Sequence, residues 1–499
     1  VIRWVIGSLG LAAHLTAVSA EAPLADAARK MDLAAVRTLL EQRVGVNVAQ
    51  VDGTAALHWA AHHDDLEMVN LLVSAGANVK AANRYGVTPI SLACTNGNGA
   101  MVELLLKAGA DPDTSLPGGE TVLMTAARTG KVEAVKALLA HGAGIHAQES
   151  PRGQTAVMWA AAEGHVAVVD TLIQAGADFR ARLESGYTPF LFAVREGHLD
   201  MVRFLLKAGA DVNDTIRNGE TAGRRFRLDK APRAGTSALV LAVINAHYEL
   251  AALLLDAGAD PNASGSGLTA LHAISGVRKP GGGDNDPAPR GSGNMTSLEL
   301  VRKLKASGAN LNARMTRRVN VGLTGLNTLG ATPFLLAART GDAELMRLLA
   351  GLGADTRLSN ADNSTPLMAA AGLGTRSPGE DAGTEGEVLE AVKAALDLGN
   401  DINAVDNNGE TAMHGAAYKN LPAVVELLAA KGAKIDVWNR RNKFGWTPLR
   451  IAEGHRFGNF KPSLVTVEAF QKVMRAAGVA PVSEPEPAVR TETKTYQQP

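Results

Sequence analysis

One spacing constrains this chain more than anything else. A Thr inside a shared nonapeptide returns at Thr88, Thr121, Thr155 and Thr188, at intervals of 33, 34 and 33 residues. GVTPISLAC (86–94), GETVLMTAA (119–127), GQTAVMWAA (153–161) and GYTPFLFAV (186–194) align without gaps, as do GLTALHAIS (267–275), GATPFLLAA (330–338), GETAMHGAA (409–417) and GWTPLRIAE (445–453). Weaker copies hold Ala55 and Ser237 at the Thr position, and Asn363-Ser364-Thr365-Pro366-Leu367 puts Asn where the turn glycine stands elsewhere. A fixed period of this length means that each unit buries its apolar face only against its neighbours. The length, 499 residues, therefore does not imply the three or so domains that about 150 residues per domain would suggest. One array can grow past the usual limit of a single core.

A second block follows each start, as in VELLLKAGADP (102–112), VDTLIQAGADF (169–179), VRFLLKAGADV (202–212), LAALLLDAGADP (250–261) and VVELLAAKGAKI (424–435). Val102, Leu105 and Leu106 recur at i, i+3 and i+4, one face of a helix. Gly109, Gly142, Gly176 and Gly209 follow where a helix must stop, a place for left-handed backbone. Thr before Pro or a small residue reads as an N-cap followed by the first helical position. Leu, Val and Ala fill thin layers between such helices, which accounts for an aromatic content of only 4%.

The composite pattern, G-x-T-P-L-x-x-A-A and then V-x-x-L-L-x-x-G-A-D-x-N, resembles the ankyrin repeat, a β-turn plus two antiparallel helices. The resemblance covers about residues 22–479. It implies a mainly α solenoid of about 12 helix-turn-helix units including caps, with short β-turn fingers, and an interaction function. Residues 23–49 read as an amino-terminal cap, with Met31 and Arg43 where glycines sit elsewhere. Residues 441–479 read as a closing cap with an aromatic loop (Phe457, Phe460), and 480–499 as a disordered Pro-, Glu- and Thr-rich tail.

Residues 1–20 read VIRWVIGSLGLAAHLTAVSA. Arg3 precedes an apolar run from Trp4 to Val18, and Val18-Ser19-Ala20 has the small-x-small pattern of a cleavage site. The expectation is a signal peptide cut after Ala20, and hence an exported bacterial protein, periplasmic or secreted. An uncleaved anchor or a buried helix is the alternative. The single Cys, Cys94, excludes an intrachain disulfide, a Cys-rich zinc site and a lipid-modified amino-terminal Cys. Cys94 replaces a packing alanine and reads as buried and inert.

Four spacings break the period and locate insertions near 213–235, 276–294, 315–329 and 372–386. The first lengthens a finger and carries Arg217, Arg224, Arg225, Arg227, Lys230 and Arg233, with Glu220 and Asp229 among them. Arg314, Arg317 and Arg318 lie in the next inserted finger. These fingers are expected to project along one edge of the concave face as a basic rim for an acidic partner; an ordinary solvated loop is the bland reading. The loop 276–295 is Gly/Pro-rich and reads as flexible; its Asp284-Asn285-Asp286 lacks the spacing and closing Glu of a calcium loop. The loop around Glu380, Asp381, Glu385 and Glu387 reads as acidic and solvated.

No P-loop, H-E-x-x-H, C-x-x-C or G-x-S-x-G occurs, so neither a cofactor, a metal nor a catalytic residue is expected. His58 and His62 have metal-like spacing, but His58, His272 and His414 share one repeat position. The resemblance implies that this His hydrogen-bonds neighbouring turns.

What remains is recognition. Arg84, Tyr85, Arg152, Tyr187, Arg195, Arg339, Tyr418 and Trp446 stand around the turn glycine or at the end of the first helix, where the resemblance places the variable surface. With Arg224, Arg225, Arg227, Arg317 and Arg318 they are the partner-binding candidates, Arg and Tyr being frequent interface anchors. Packing of Tyr85 and Tyr187 across adjacent turns is the structural alternative. The expected function is a non-enzymatic, monomeric scaffold without a membrane span that binds a protein. The competing readings are an enzyme or enzyme-associated module built on the inserted loops, and nucleic-acid binding through the Arg-rich finger. Equal numbers of basic and acidic residues, 50 each, argue against the last.

Overall fold

Most repeats start on a Thr or Ser whose side chain caps the first helix, although Thr155, Thr269 and Thr411 accept no such bond. The Thr88 side chain accepts a hydrogen bond from the Ser91 amide, and Pro89 opens the helix behind it. Thr121, Ser237, Thr332, Thr365 and Thr447 cap their helices in the same way. In the computed structural model, residues 22–217, 233–281, 288–319, 325–456 and 462–481 are described. The segment 1–20, the finger residues Arg224, Arg225 and Arg227, the triplet Asp284–Asp286, Phe457, Phe460 and most of the tail lie outside the described residues.

The chain divides into two units. The first contains five helix pairs: α1 (Pro23–Arg29) with α2 (Leu33–Glu41), α3 (Ala56–His62) with α4 (Leu66–Ser74), α5 (Pro89–Asn96) with α6 (Gly99–Lys107), α7 (Val122–Thr129) with α8 (Val132–Ala140), and α9 (Ala156–Ala162) with α10 (Val166–Gln174). The pair α11 (Pro189–Glu196) and α12 (Leu199–Lys207) is divided between the units. The second unit continues with α13 (Ala238–Ile244) and α14 (Tyr248–Asp256), α15 (Ala270–Arg278) and α16 (Ser297–Ala306), α17 (Pro333–Arg339) and α18 (Ala343–Gly351), α19 (Pro366–Ala370) and α20 (Glu385–Asp397), and α21 (Ala412–Lys419) and α22 (Pro422–Ala430). A single turn, α23 (Ile435–Trp438), then precedes α24 (Pro448–Ala452) and α25 (Leu464–Ala476). Among the described residues there is no strand, only the isolated bridges Ser115–Thr121 and Thr215–Ser237 at the bases of two fingers. No described helix is long and apolar enough to cross a membrane.

Within each unit, first helices pack on first helices, α1 on α3 and α13 on α15, and second helices on second helices, as α6 on α8 and α22 on α25. The apolar stripe of α6 (Met101, Val102, Leu105) is fully buried. Each such Leu contributes about 1.5–3 kcal/mol. Trp438 and Phe470, with ring centroids 5.8 Å apart, fill the space between α23 and α25. The helix stops behave as their sequence implies. Gly109 has φ +97°, and an added Cβ would meet nothing within 4 Å, so conformation rather than space selects glycine there. Met31 and Arg43 take the same left-handed backbone at φ +56° without being glycine. Cys94 is buried, and its thiol is pushed up to about 12 by desolvation, so it stays protonated.

Two sets of polar side chains join successive repeats. In the first, the amides of Ala55, Thr269 and Thr411 donate to Nδ1 of His58, His272 and His414 at 3.1, 3.1 and 3.2 Å. An Nδ1 that accepts is unprotonated, so Nε2 carries the hydrogen and donates to the backbone carbonyls of Val87, Ala331 and Arg440 in the next turn, at 3.1, 3.1 and 3.2 Å. In the second, the Asn closing the G-A-D-x-N block reaches forward. Asn47 accepts from the Asn78 amide at 2.7 Å, Asn312 from Asp355 at 2.8 Å and Asn403 from Lys434 at 2.8 Å.

Burial lowers both His272 and His414 to about 4, because the neutral ring is the one that fits. In the unfolded chain an imidazole titrates near 6.5. The unfolded state therefore binds the proton first on acidification. This stability is fully present above about pH 6.5 and is lost as pH falls towards 4. Urea unfolding should show the midpoint falling across that window. The double variant His272→Leu/His414→Leu should lose about 1–3 kcal/mol per site at pH 7 and show a shallower pH dependence between 6.5 and 4.

Candidate interaction surface

Several fingers are built around an Asn or Asp placed three residues before the turn position. The Asn83 amide donates to Val87 O at 3.0 Å, and its Oδ1 accepts from the Tyr85 and Val87 amides, both at 3.0 Å. Asn360, Asp406 and Asn442 repeat the arrangement. This local side-chain bonding is what Asn and Asp do best in turns. Neighbouring tips are tied by backbone bonds: Arg84 N to Asp52 O at 2.9 Å and Ser150 N to Gly118 O at 3.0 Å in the first unit. In the second unit Ala361 N donates to Leu329 O, Asn407 N to Asp362 O and Lys443 N to Asn408 O, at 2.9, 2.9 and 2.8 Å. The fingertips thus present side chains from a fixed backbone.

Arg84 and Tyr85 are exposed at one tip, where the guanidinium lies 4.9 Å from the ring centroid and donates to the phenol oxygen at 2.7 Å. Arg152, Arg317 and Arg318 are also exposed. Trp446 is half-buried, tilted against Phe444 at 5.3 Å between centroids, and Lys443 Nζ lies 5.0 Å from the Phe444 ring. Tyr187 is half-buried beneath Arg195, 5.3 Å from its ring, and Arg195 also pairs with Glu196 at 2.6 Å. The apolar tip residues Val51, Leu329, Val405 and Phe444 are exposed and were not among the sequence candidates. For Leu329 and Phe444 the available signal was a position beside the turn glycines Gly330 and Gly445.

Two candidates are not on the surface. Arg339 is 3% exposed and pairs with Asp381 at 2.8 Å. Tyr418 is 6% exposed, donates to Glu410 at 2.8 Å and accepts from Asn442 Nδ2 at 3.1 Å. Burial and the neighbouring Glu410 carboxylate push the phenol far above its ordinary value, and burial likewise raises Glu410. Both corrections have one cause: a polar partner at the end of the first helix converts an exposed anchor into a buried bond.

That partner comes from an insertion in the case of Arg339. The acidic loop is not solvated throughout. Asp381 is buried, accepting from Arg339, from Thr375 Oγ1 at 2.7 Å and from the Ala382 amide at 3.1 Å. Glu387 pairs with Lys279, which together with the Thr384 cap lowers its carboxyl to about 2. The Gly/Pro-rich loop is docked at both described ends. Arg278 binds Asp342 at 2.6 Å and Glu344 at 2.9 Å. On the other side the Ser292 amide donates to His247 Nδ1 at 3.0 Å. In the finger 315–329 the described residues Met315, Val319 and Leu326 are buried, and the Gly325 amide donates to Gly374 O at 2.7 Å.

Removing one member of a buried ion pair strands the other. Arg339→Met should therefore cost about 3–5 kcal/mol, and Arg339→Met/Asp381→Leu should cost less than the two single changes combined, read by denaturant unfolding.

The family profile described as "Ankyrin repeats (3 copies)" matches residues 24–116, 123–216, 180–265 and 382–460. An Arabidopsis thaliana protein named E3 ubiquitin-protein ligase KEG is 29% identical over 151 residues, 29% of this chain and 8% of that protein. A fowlpox virus protein named putative ankyrin repeat protein FPV219 is 44% identical over 50 residues, 10% of this chain and 12% of that protein. The matches thus span a small part of either relative. The crystal structure of the human ASB11 ankyrin repeat domain is similar at 26% identity and a TM-score of 0.40, covering 48% of this chain and 100% of that one.

Proposed function

The chain belongs to the ankyrin-repeat family, and we propose that it is a monomeric, non-enzymatic scaffold that binds an acidic protein partner through its inter-repeat fingers. The observation that carries this reading is the row of linked tips. At Asn83, Asn360, Asp406 and Asn442 the tip backbone is held by the side chain, and neighbouring tips are joined by backbone bonds. They present arginine and aromatic or aliphatic side chains to solvent, as at Arg84–Tyr85. A surface ordered before binding loses little conformational freedom on association. Arg and Tyr are the side chains that most often dominate interface energies. Arg317 and Arg318 supply the exposed cations of the inserted finger base. Arg224, Arg225 and Arg227 belong to the same proposal on sequence grounds.

Pull-down from an envelope extract tests it. Arg84→Ser/Tyr85→Ser, Arg317→Ser/Arg318→Ser and Arg224→Ser/Arg225→Ser/Arg227→Ser should each recover at least about fivefold less of the wild-type partner, about 1 kcal/mol by the usual affinity arithmetic. The unfolding midpoint should be unchanged. Equal recovery by all three variants would remove the fingers from the binding surface.

We propose export as well, supported by Arg3, the apolar run Trp4–Val18 and the small residues Val18-Ser19-Ala20. Mass spectrometry of the purified chain should find a mature amino terminus at Glu21. An intact Arg3 segment on a cytosolic product would defeat the idea.

A further inference from the structure

The insertion between α15 and α16 ends in Arg290-Gly291-Ser292-Gly293-Asn294, and this segment is seated on the start of α14. The seat is close-fitting. A Cβ at Gly291 would overlap Ala246 O, and a Cβ at Gly197 would overlap the His247 ring. At the centre lies the buried His247, the residue that precedes α14. Its Nε2 meets Arg195 O at 3.0 Å, and its Nδ1 meets the Ser292 amide at 3.0 Å and Ser292 Oγ at 3.0 Å. Ser292 Oγ also donates to Gly197 O at 3.2 Å, and the Asn294 amide donates to Glu249 at 3.1 Å.

These bonds set the protonation of the ring. A backbone amide only donates, so Nδ1 is bare and Nε2 carries the hydrogen. A second proton would sit on Nδ1 and face the Ser292 N–H, donor against donor. Ser292 Oγ can accept from that new N–H while still donating to Gly197 O, but the Ser292 amide then loses its acceptor in a buried contact. The positive end of α14 opens at the same place and opposes a cation there. His165 precedes α10 in the same way and reaches Arg128 O at 2.9 Å, yet among the described residues no donor meets its Nδ1. The acid-sensitive bond therefore belongs to the insertion and not to the repeat.

We propose that residues 291–294 form an acid-released latch, docked on α14 while His247 is neutral and freed when Nδ1 is protonated. Burial pulls the His247 ring below its ordinary value, as a seat that fits the neutral form requires. Among its charged neighbours, Glu196 favours protonation and His198 opposes it. Arg195 is paired with Glu196 at 2.6 Å, Glu249 is exposed and engaged by Asn294, and Arg290 is exposed. Tyr248 is neutral, its phenol raised by burial. Once the segment leaves, the ring titrates near 6.5, so the released state takes up the proton first. Docking is therefore at full strength above about pH 6.5 and weakens as pH falls below it. Release breaks the bond to Gly197 O and uncovers the start of α14 without unfolding a helix pair.

Spin-label mobility on the full chain tests the latch. Ala288→Cys places one exposed thiol beside the segment, and the buried, protonated Cys94 stays unlabelled. The ratio of mobile to immobile nitroxide signal should rise about five- to tenfold between pH 7.5 and 5.5, with the helical circular dichroism unchanged. His165→Gln should leave that rise intact, and His247→Gln should abolish it. Gly291→Ala, which cannot dock, should give the mobile signal at every pH and serves as the second variant should His247→Gln fail to fold. A ratio that does not change with pH in the parent chain would overturn the latch. So would a rise that survives in folded His247→Gln or Gly291→Ala.

Discussion

The structure depends on hydrogen bonds that leave one repeat and end on the backbone of the next. A helix pair of this size cannot bury its apolar face alone, and apolar contact between Ala, Leu and Val layers is non-directional. Registration comes from the polar reach: His58 to Val87, Asn312 to Asp355, Asn403 to Lys434. These are also bonds that cannot be left half made, because each His is buried and its ring nitrogens have no water to turn to. The fingers inherit their order from the same rule, through Asn83, Asn360, Asp406 and Asn442.

Most of this was legible in the order of residues. Most of the Thr caps, the left-handed glycines and the helix pairs follow from local chemistry repeated at a fixed period. The Asn of G-A-D-x-N was visible as a repeated letter, but its role was not, since its partner lies in the following repeat. Arg339, Tyr418 and Asp381 were misjudged for a related reason. Arg339 and Tyr418 stand where the repeat normally exposes a side chain, and Asp381 belongs to the insertion that covers Arg339. Only the path of an inserted loop, or of Asn442 from the next finger, decides whether that side chain is covered. Repeat logic predicts what the period contains and is silent on what interrupts it.

The insertions are better seen as structural parts of the second unit than as appendages. Arg278 bridges to Asp342 and Glu344, Lys279 to Glu387, and Gly325 to Gly374. The basic finger base at Arg317 and Arg318 stays exposed while the rest of its described finger is held against a neighbouring loop.

One consequence concerns how the repeats come apart. In a plain repeat array each unit couples to its two neighbours alone, so ends fray and interior units open in sequence. The loop between α15 and α16 breaks that locality. Ser292 reaches back past the intervening pair to Gly197 O, and Lys279 reaches forward past the next pair to Glu387. Five successive pairs, α11 to α20, are thereby cross-linked beyond nearest neighbours. Fraying from the carboxy terminus would have to stop at this clamp, which makes it a cooperative block inside an otherwise divisible chain.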